Sequence, residues 1–107
     1  MKKEYKKLVR DRIPEIIREA GRDCEIETLS ETQYRLALRD KLIEEAQEVR
    51  GALNQEDLIK ELADLSEVIE AIIQESGISK EVVLAEQKKR RTERGGFENR
   101  TQLIWVD

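Results

Sequence analysis

Residues 44–64 read EEAQEVRGALNQEDLIKELAD, and acids in that stretch stand in the rows where a helix would place apolar residues. Leu42, Glu45 and Val49 follow an i, i+3, i+7 course, and Leu58, Glu61 and Leu65 follow the same course. Glu48 and Asp64 each stand three positions after an in-row acid, displaced along the axis by about 4.5 Å. The break at Asn54 between two helical patterns predicts an antiparallel helical hairpin. Glu48 and Glu61 are then equally distant from the turn at Asn54 and Gln55, and so are Glu45 and Asp64. Four carboxylates at one partly dehydrated spot repel one another, which calls for raised pKa values or a bound cation.

An all-oxygen cage in a chain without histidine suits a hard ion, Mg²⁺ with Mn²⁺ as a substitute, better than zinc. Glu45, Glu48, Glu61 and Asp64 are the candidate metal ligands. Glu44, further around its helix, either supports them and orients a water as a candidate catalytic group or is simply solvated. The chain has 24 acidic residues, so a lone EE or ExxD pair carries no information. The mirrored spacing within apolar rows is what distinguishes this set.

Two cationic clusters offer partners for phosphate: Lys6, Lys7, Arg10 and Arg12 near the start, and Lys88, Lys89, Arg90, Arg91 and Arg94 near the end. Such runs form solvated helix faces as readily as anion sites. Lys7, Arg10, Arg91 and Arg94 are the candidate phosphate-binding residues. Asp11 either holds Arg10 or caps the following helix. Phe97 and Trp105 are available to stack on a base, although anchoring a terminal strand is the commoner use of such residues.

Composition narrows the chemistry further. The absence of histidine removes Ser/His and Cys/His nucleophilic catalysis and the common zinc ligand sets. Cys24 is the single cysteine, which rules out an internal disulfide and suits a reducing cytoplasm. Charged residues make up 41% and aromatic residues 4%, so the core must be aliphatic under a heavily ionised surface. Net charge is −4 with both signs interspersed, and "KKRRTER" lacks interleaved aromatics, so stable nucleic-acid binding is not expected. Apolar runs fall short of a membrane span, and "MKKEYKKLVRDR" does not read as a signal peptide.

The elements that must position these residues are mainly helical, arranged as an antiparallel hairpin or bundle in a single domain over residues 1–107. Pro14 fits the first turn of "IPEIIREAG", closed by Gly21. "CEIETL" reads as a short strand, able to pair with the tail "TQLIWV" as a small two-stranded β element. Ser30 with Gln33 forms a capping box for a second helix reaching about Leu53, with Thr28 and Glu31 a competing start. Asn54 caps a third helix ending near Ser76 and Gly77, and Ser79 a fourth ending at Gly95 and Gly96. The third helix carries an apolar stripe, Leu58 and Ile59 through Ile72 and Ile73, broader than one neighbour can cover. Pairing with a second chain into a four-helix bundle would bury it, so a homodimer or homotetramer is expected.

The motifs also resemble a known family. Glu44-Glu45-x-x-Glu48, then residues 49–60, then Glu61-x-x-Asp64 is similar to the EExxE…ExxD signature of the all-α NTP pyrophosphatase superfamily, which includes MazG-like and phosphoribosyl-ATP pyrophosphohydrolase-like proteins. "YKKLVRDRIPEII" and "RTERGGFENR" resemble the flanking motifs of a bacterial subgroup, and favour Arg10 and Arg94 among the cations. The resemblance implies a helical bundle assembling as a dimer or tetramer. It also implies Mg²⁺-dependent hydrolysis of a nucleoside triphosphate at the α–β phosphoanhydride, giving monophosphate and pyrophosphate, as in nucleotide-pool housecleaning. Such phosphoryl chemistry needs positioning and charge rather than a protein nucleophile. The competing reading is a non-catalytic helical interaction module whose buried acids only fix partner register.

Overall fold

Four helices follow one another along the chain in a computed structural model that describes residues 6–107: α1 (Ile13–Glu19), α2 (Glu31–Arg50), α3 (Gln55–Glu75) and α4 (Lys80–Arg94). Tyr5, which opens the amino-terminal flanking motif, and the first residues of the stretch weighed as a signal peptide lie outside that range. Each long helix begins where its sequence supplies an oxygen for the free amides of the first turn. The Gln33 amide donates to Ser30 Oγ while Ser30's own amide donates to the Gln33 side chain, a reciprocal capping box. Asn54 Oδ1 accepts from the Asp57 amide, and Ser79 Oγ from the Val82 amide. Pro14 occupies the first turn of α1.

The helix ends are equally local in origin. α2 stops at Arg50, a few residues short of the expected Leu53, because the chain turns at Gly51. Gly77 follows α3 at φ +74° and Gly95 follows α4 at φ +84°, both in the left-handed region that glycine enters without a Cβ penalty.

Among the described residues α2 and α3 are the one pair of helices that pack extensively, forming the expected antiparallel hairpin. Its core is small. Leu38 on α2 is 3% exposed and Val68 on α3 is 8% exposed. Toward the open end, Arg35 Nε donates to Glu75 Oε1 over 2.8 Å, and the Glu75 side chain is 8% exposed. Its other oxygen is buried without a partner among the described residues. Leu58, Leu62 and Ile69 keep much of their surface in water, as expected of a stripe that one neighbour cannot cover.

The two-stranded β element does not form among the described residues. Residues 24–29 and 101–106 contain no strand, and Ile26, Leu103, Ile104, Trp105 and Val106 are all exposed. A strand exists only against a partner's backbone, and an isolated two-stranded ribbon is marginal in water. Local β propensity marked these segments correctly as non-helical and supplied nothing to hold them together. Phe97 and Trp105 are accordingly not anchors, since both are largely exposed. The radius of gyration is 18.2 Å, against about 13 Å for a compact chain of this length. Among the described residues no helix is long and apolar enough to cross a membrane.

Candidate active site

The hairpin brings Glu45 of α2 together with Glu61 and Asp64 of α3. One carboxylate oxygen from each lies within 4.8 Å of the others, and all three residues are half-buried. Oxygens coordinated to one small divalent ion stand about 2.9–4.2 Å apart, from its short, near-octahedral bonds. Minor side-chain adjustment therefore fits these three donors around such an ion, and the absence of any nitrogen or sulfur donor matches a hard cation.

Glu48 stands outside this triplet. It is exposed on α2, yet its charge is the largest of those acting on Glu61. The Glu61 carboxyl is raised above the ordinary glutamate value, first by desolvation and then by the charges of Glu48, Asp64, Glu45 and Asp57. Crowded carboxylates thus express their repulsion as a tighter hold on a proton, one of the two compensations expected from the sequence.

Nearby cations provide a further one. Arg10 Nη2 donates to Asp64 Oδ1 at 2.8 Å. Lys7 Nζ lies 3.6 Å from Glu44 Oε1. Lys41 Nζ lies 3.6 Å from Glu44 Oε1 and 3.8 Å from Glu45 Oε1. Lys7 and Arg10, read from sequence as phosphate ligands, therefore reach the acids themselves. Asp11 does not hold Arg10; Asp64 does. Lys41 was missed, although its i, i+3 and i, i+4 relation to Glu44 and Glu45 was visible. Arg10 and Asp64 are far apart in the chain, and no local pattern announces that contact.

The carboxy-terminal candidates lie elsewhere. Arg91 pairs with Glu98 in the loop after α4, and Arg94 is the last residue of that helix. Neither is brought to the acids, since α4 does not pack extensively on the hairpin of its own chain.

The acidic helical hairpin belongs with the MazG-like all-α NTP pyrophosphatases. The model of the phosphoribosyl-ATP pyrophosphohydrolase family matches residues 3–91, and the chain belongs to that family. The family is one of pyrophosphohydrolases and is typically dependent on a divalent metal. The matched range holds Glu44, Glu45, Glu48, Glu61 and Asp64 and ends at Arg91, so most of the "RTERGGFENR" motif lies beyond it. An uncharacterized protein of Mycolicibacterium smegmatis is 58% identical over 45 residues, covering 42% of this chain and 46% of that protein. The match thus spans less than half the length of this relative. No solved structure gives a significant match.

Proposed function

We propose that the protein is a cytoplasmic Mg²⁺-dependent nucleoside triphosphate pyrophosphohydrolase, with Mn²⁺ able to substitute, which releases a nucleoside monophosphate and pyrophosphate. The observation that carries this reading is the convergence of Glu45, Glu61 and Asp64 inside a hairpin of this family. Those three residues would hold the ion, with Glu48 available to join from the exposed edge of α2. When bound, the ion supplies charge neutralisation at the phosphate oxygens and a more acidic water.

The chain's own groups do the rest. Glu45, Glu61 and Asp64 would fix the polar end of the site from the facing sides of the hairpin. Glu44 Oε1, flanked by Lys7 and Lys41, would orient a water at the rim by accepting its hydrogen bond. Lys7 and Arg10 are held by acids only through partly exposed ion pairs, which are individually weak. Both can exchange a carboxylate for a phosphate oxygen, for which the Arg10 guanidinium offers a two-pronged donor. No protein nucleophile is required, because phosphoryl transfer is driven by orientation and charge.

The test is a product assay over a panel of canonical and modified nucleotides with Mg²⁺. The expected result is pyrophosphate rather than orthophosphate, and its loss in Glu45→Gln and Glu61→Gln. Release of neither product by the parent protein across the panel, with no metal-dependent rise in Tm, overturns the reading in favour of a non-catalytic helical interaction module.

A further inference from the structure

Glu44 and Glu45 are adjacent and chemically identical, yet the structure gives them different surroundings. Glu45 converges with Glu61 and Asp64, and Glu44 stays outside that triplet. The charges that raise the Glu61 carboxyl come from Glu48, Asp64, Glu45 and Asp57, and Glu44 is not one of them. Consecutive residues diverge by about 100° around a helix. A glutamate side chain is long and rotates freely, however, so helical position alone does not keep its carboxylate from a divalent ion nearby. The cations supply the restraint. Glu44 Oε1 stands 3.6 Å from Lys7 Nζ and 3.6 Å from Lys41 Nζ, while Glu45 Oε1 has Lys41 Nζ at 3.8 Å.

Lys41 differs from the other paired lysines among the described residues. Its side chain is 23% exposed, whereas those of Lys7, Lys60 and Lys80 are all more than half exposed. Partial burial of an ammonium costs free energy that a weak ion pair does not recover. Helix stability does not explain the arrangement either. In i, i+4 pairs the order with the acid first is the stabilising one. Glu56 with Lys60 and Glu86 with Arg90 follow that order, and Lys41 with Glu45 reverses it. Lys41 is also fixed where Lys7 is not. It lies within α2, one turn from both acids, whereas Lys7 belongs to the segment before α1 and reaches Glu44 from far along the chain. When Lys7 exchanges Glu44 for a phosphate oxygen, Lys41 remains.

We infer that Lys41 is a positioning residue, whose ammonium holds the Glu44 carboxylate at the rim and so divides two neighbouring glutamates into one metal ligand and one water-orienting group. Without that ammonium, Glu44 is free to swing toward the ion as an extra ligand, which tightens the metal and gives up the water. The roles of ion and water rest on the pyrophosphohydrolase reading above.

The restraint is tested without catalysis. Lys41→Met keeps the aliphatic stem and removes the charge. Its affinity for Mn²⁺ without nucleotide, measured by electron paramagnetic resonance, should rise about fivefold to tenfold, from lost repulsion and a gained ligand. Most of that rise should vanish when Glu44→Gln is added to the same chain. Lys41→Gln, which keeps a polar end in case the methionine variant fails to fold, should behave alike. An equal rise with and without the Glu44 carboxylate means that Lys41 acts on the ion by charge alone, and overturns the inference. An unchanged or weaker affinity does the same.

Turnover supplies the second readout. Lys41→Met should lower kcat by about 10–100-fold, the usual effect of losing a partner that orients a metal site, with KM close to that of the parent. A raised KM with kcat preserved would make Lys41 a phosphate contact and overturn the inference. A parent that binds Mn²⁺ but releases no pyrophosphate sinks the hydrolase reading alone, because the cycle in metal affinity still decides the restraint. A parent that binds no Mn²⁺ ends both.

Discussion

Arg10 donates a 2.8 Å hydrogen bond from Nη2 to Oδ1 of Asp64, so a cation from before α1 occupies a carboxylate that also belongs to the metal-competent triplet. The two roles of Asp64 compete. Arg10→Ala should therefore raise the affinity for Mn²⁺ measured without nucleotide, and weaken nucleotide binding in the same protein. Both partners are about half exposed, and such pairs contribute up to about 1 kcal/mol, so the gain in metal affinity should be about fivefold at most. Manganese titration by electron paramagnetic resonance reads this directly. An unchanged or weaker affinity would show that the pair does not compete with the ion.

Glu45→Gln and Glu61→Gln keep the shape of the side chains and remove their charge. Loss of a ligand from an ion that stabilises developing charge costs several kcal/mol, and about 3 kcal/mol corresponds to roughly 150-fold in rate. Pyrophosphate release should fall by at least that factor. The rise in Tm produced by Mg²⁺ should vanish in parallel, as scanning fluorimetry with and without chelator would report.

The raised Glu61 carboxyl has a definite sign in stability. Its proton is held more tightly in the folded chain than in the unfolded one. Its contribution is therefore fully present below the unfolded value, about pH 4, and is lost as pH rises through the higher folded value. In chelator, the stability of the parent relative to Glu61→Gln should decrease as the pH is raised across that window. Urea unfolding at a series of pH values measures the difference, and adding Mg²⁺ should reverse its direction.

Removing one partner of the ion pair between Arg35 and Glu75 strands a carboxylate that is almost fully buried. Arg35→Ala should destabilise the protein by about 1–3 kcal/mol, below the value for fully buried pairs because the arginine is half exposed. Adding Glu75→Leu to that variant should restore most of the loss. A double-mutant cycle in urea separates this from lost packing, since an additive cycle would mean that the pair is not coupled.

Leu38→Ala should cost about 2–4 kcal/mol, because the best-packed position of the hairpin loses its side chain there. Leu53→Ala should fall within about 0.5 kcal/mol of the parent, since Leu53 is 91% exposed at the turn. Equal effects at the two positions would place the core elsewhere.

Much of this architecture was legible in the sequence where its causes are local. Ser30, Asn54 and Ser79 each supply a capping oxygen to the amide three residues on, and all three helix starts appear where those residues stand. The facing of Glu45 and Asp64 was equally readable, because two helices joined by a short turn have little freedom of register. What the sequence did not reveal depends on distance or on a partner. Arg10 finds Asp64 from 54 residues away in the chain. Glu48 is exposed on α2, because mirrored counting fixes a residue's height above the turn and not the face it takes, and a step of three residues from Glu45 moves about 60° around the helix. "CEIETL" and "TQLIWV" have the residues of strands, but their backbones meet no ladder within the described residues.

The acids sit in the part of the molecule whose contacts are nearest in sequence, the hairpin of α2 and α3. Closing such a short connection costs little chain entropy, and helical pairs of low contact order assemble within microseconds to milliseconds. During synthesis the carboxylates can thus gather as soon as Glu75 has cleared the ribosome, while α4 is still being translated. The site is born as a local event, and any later assembly refines a geometry already in place.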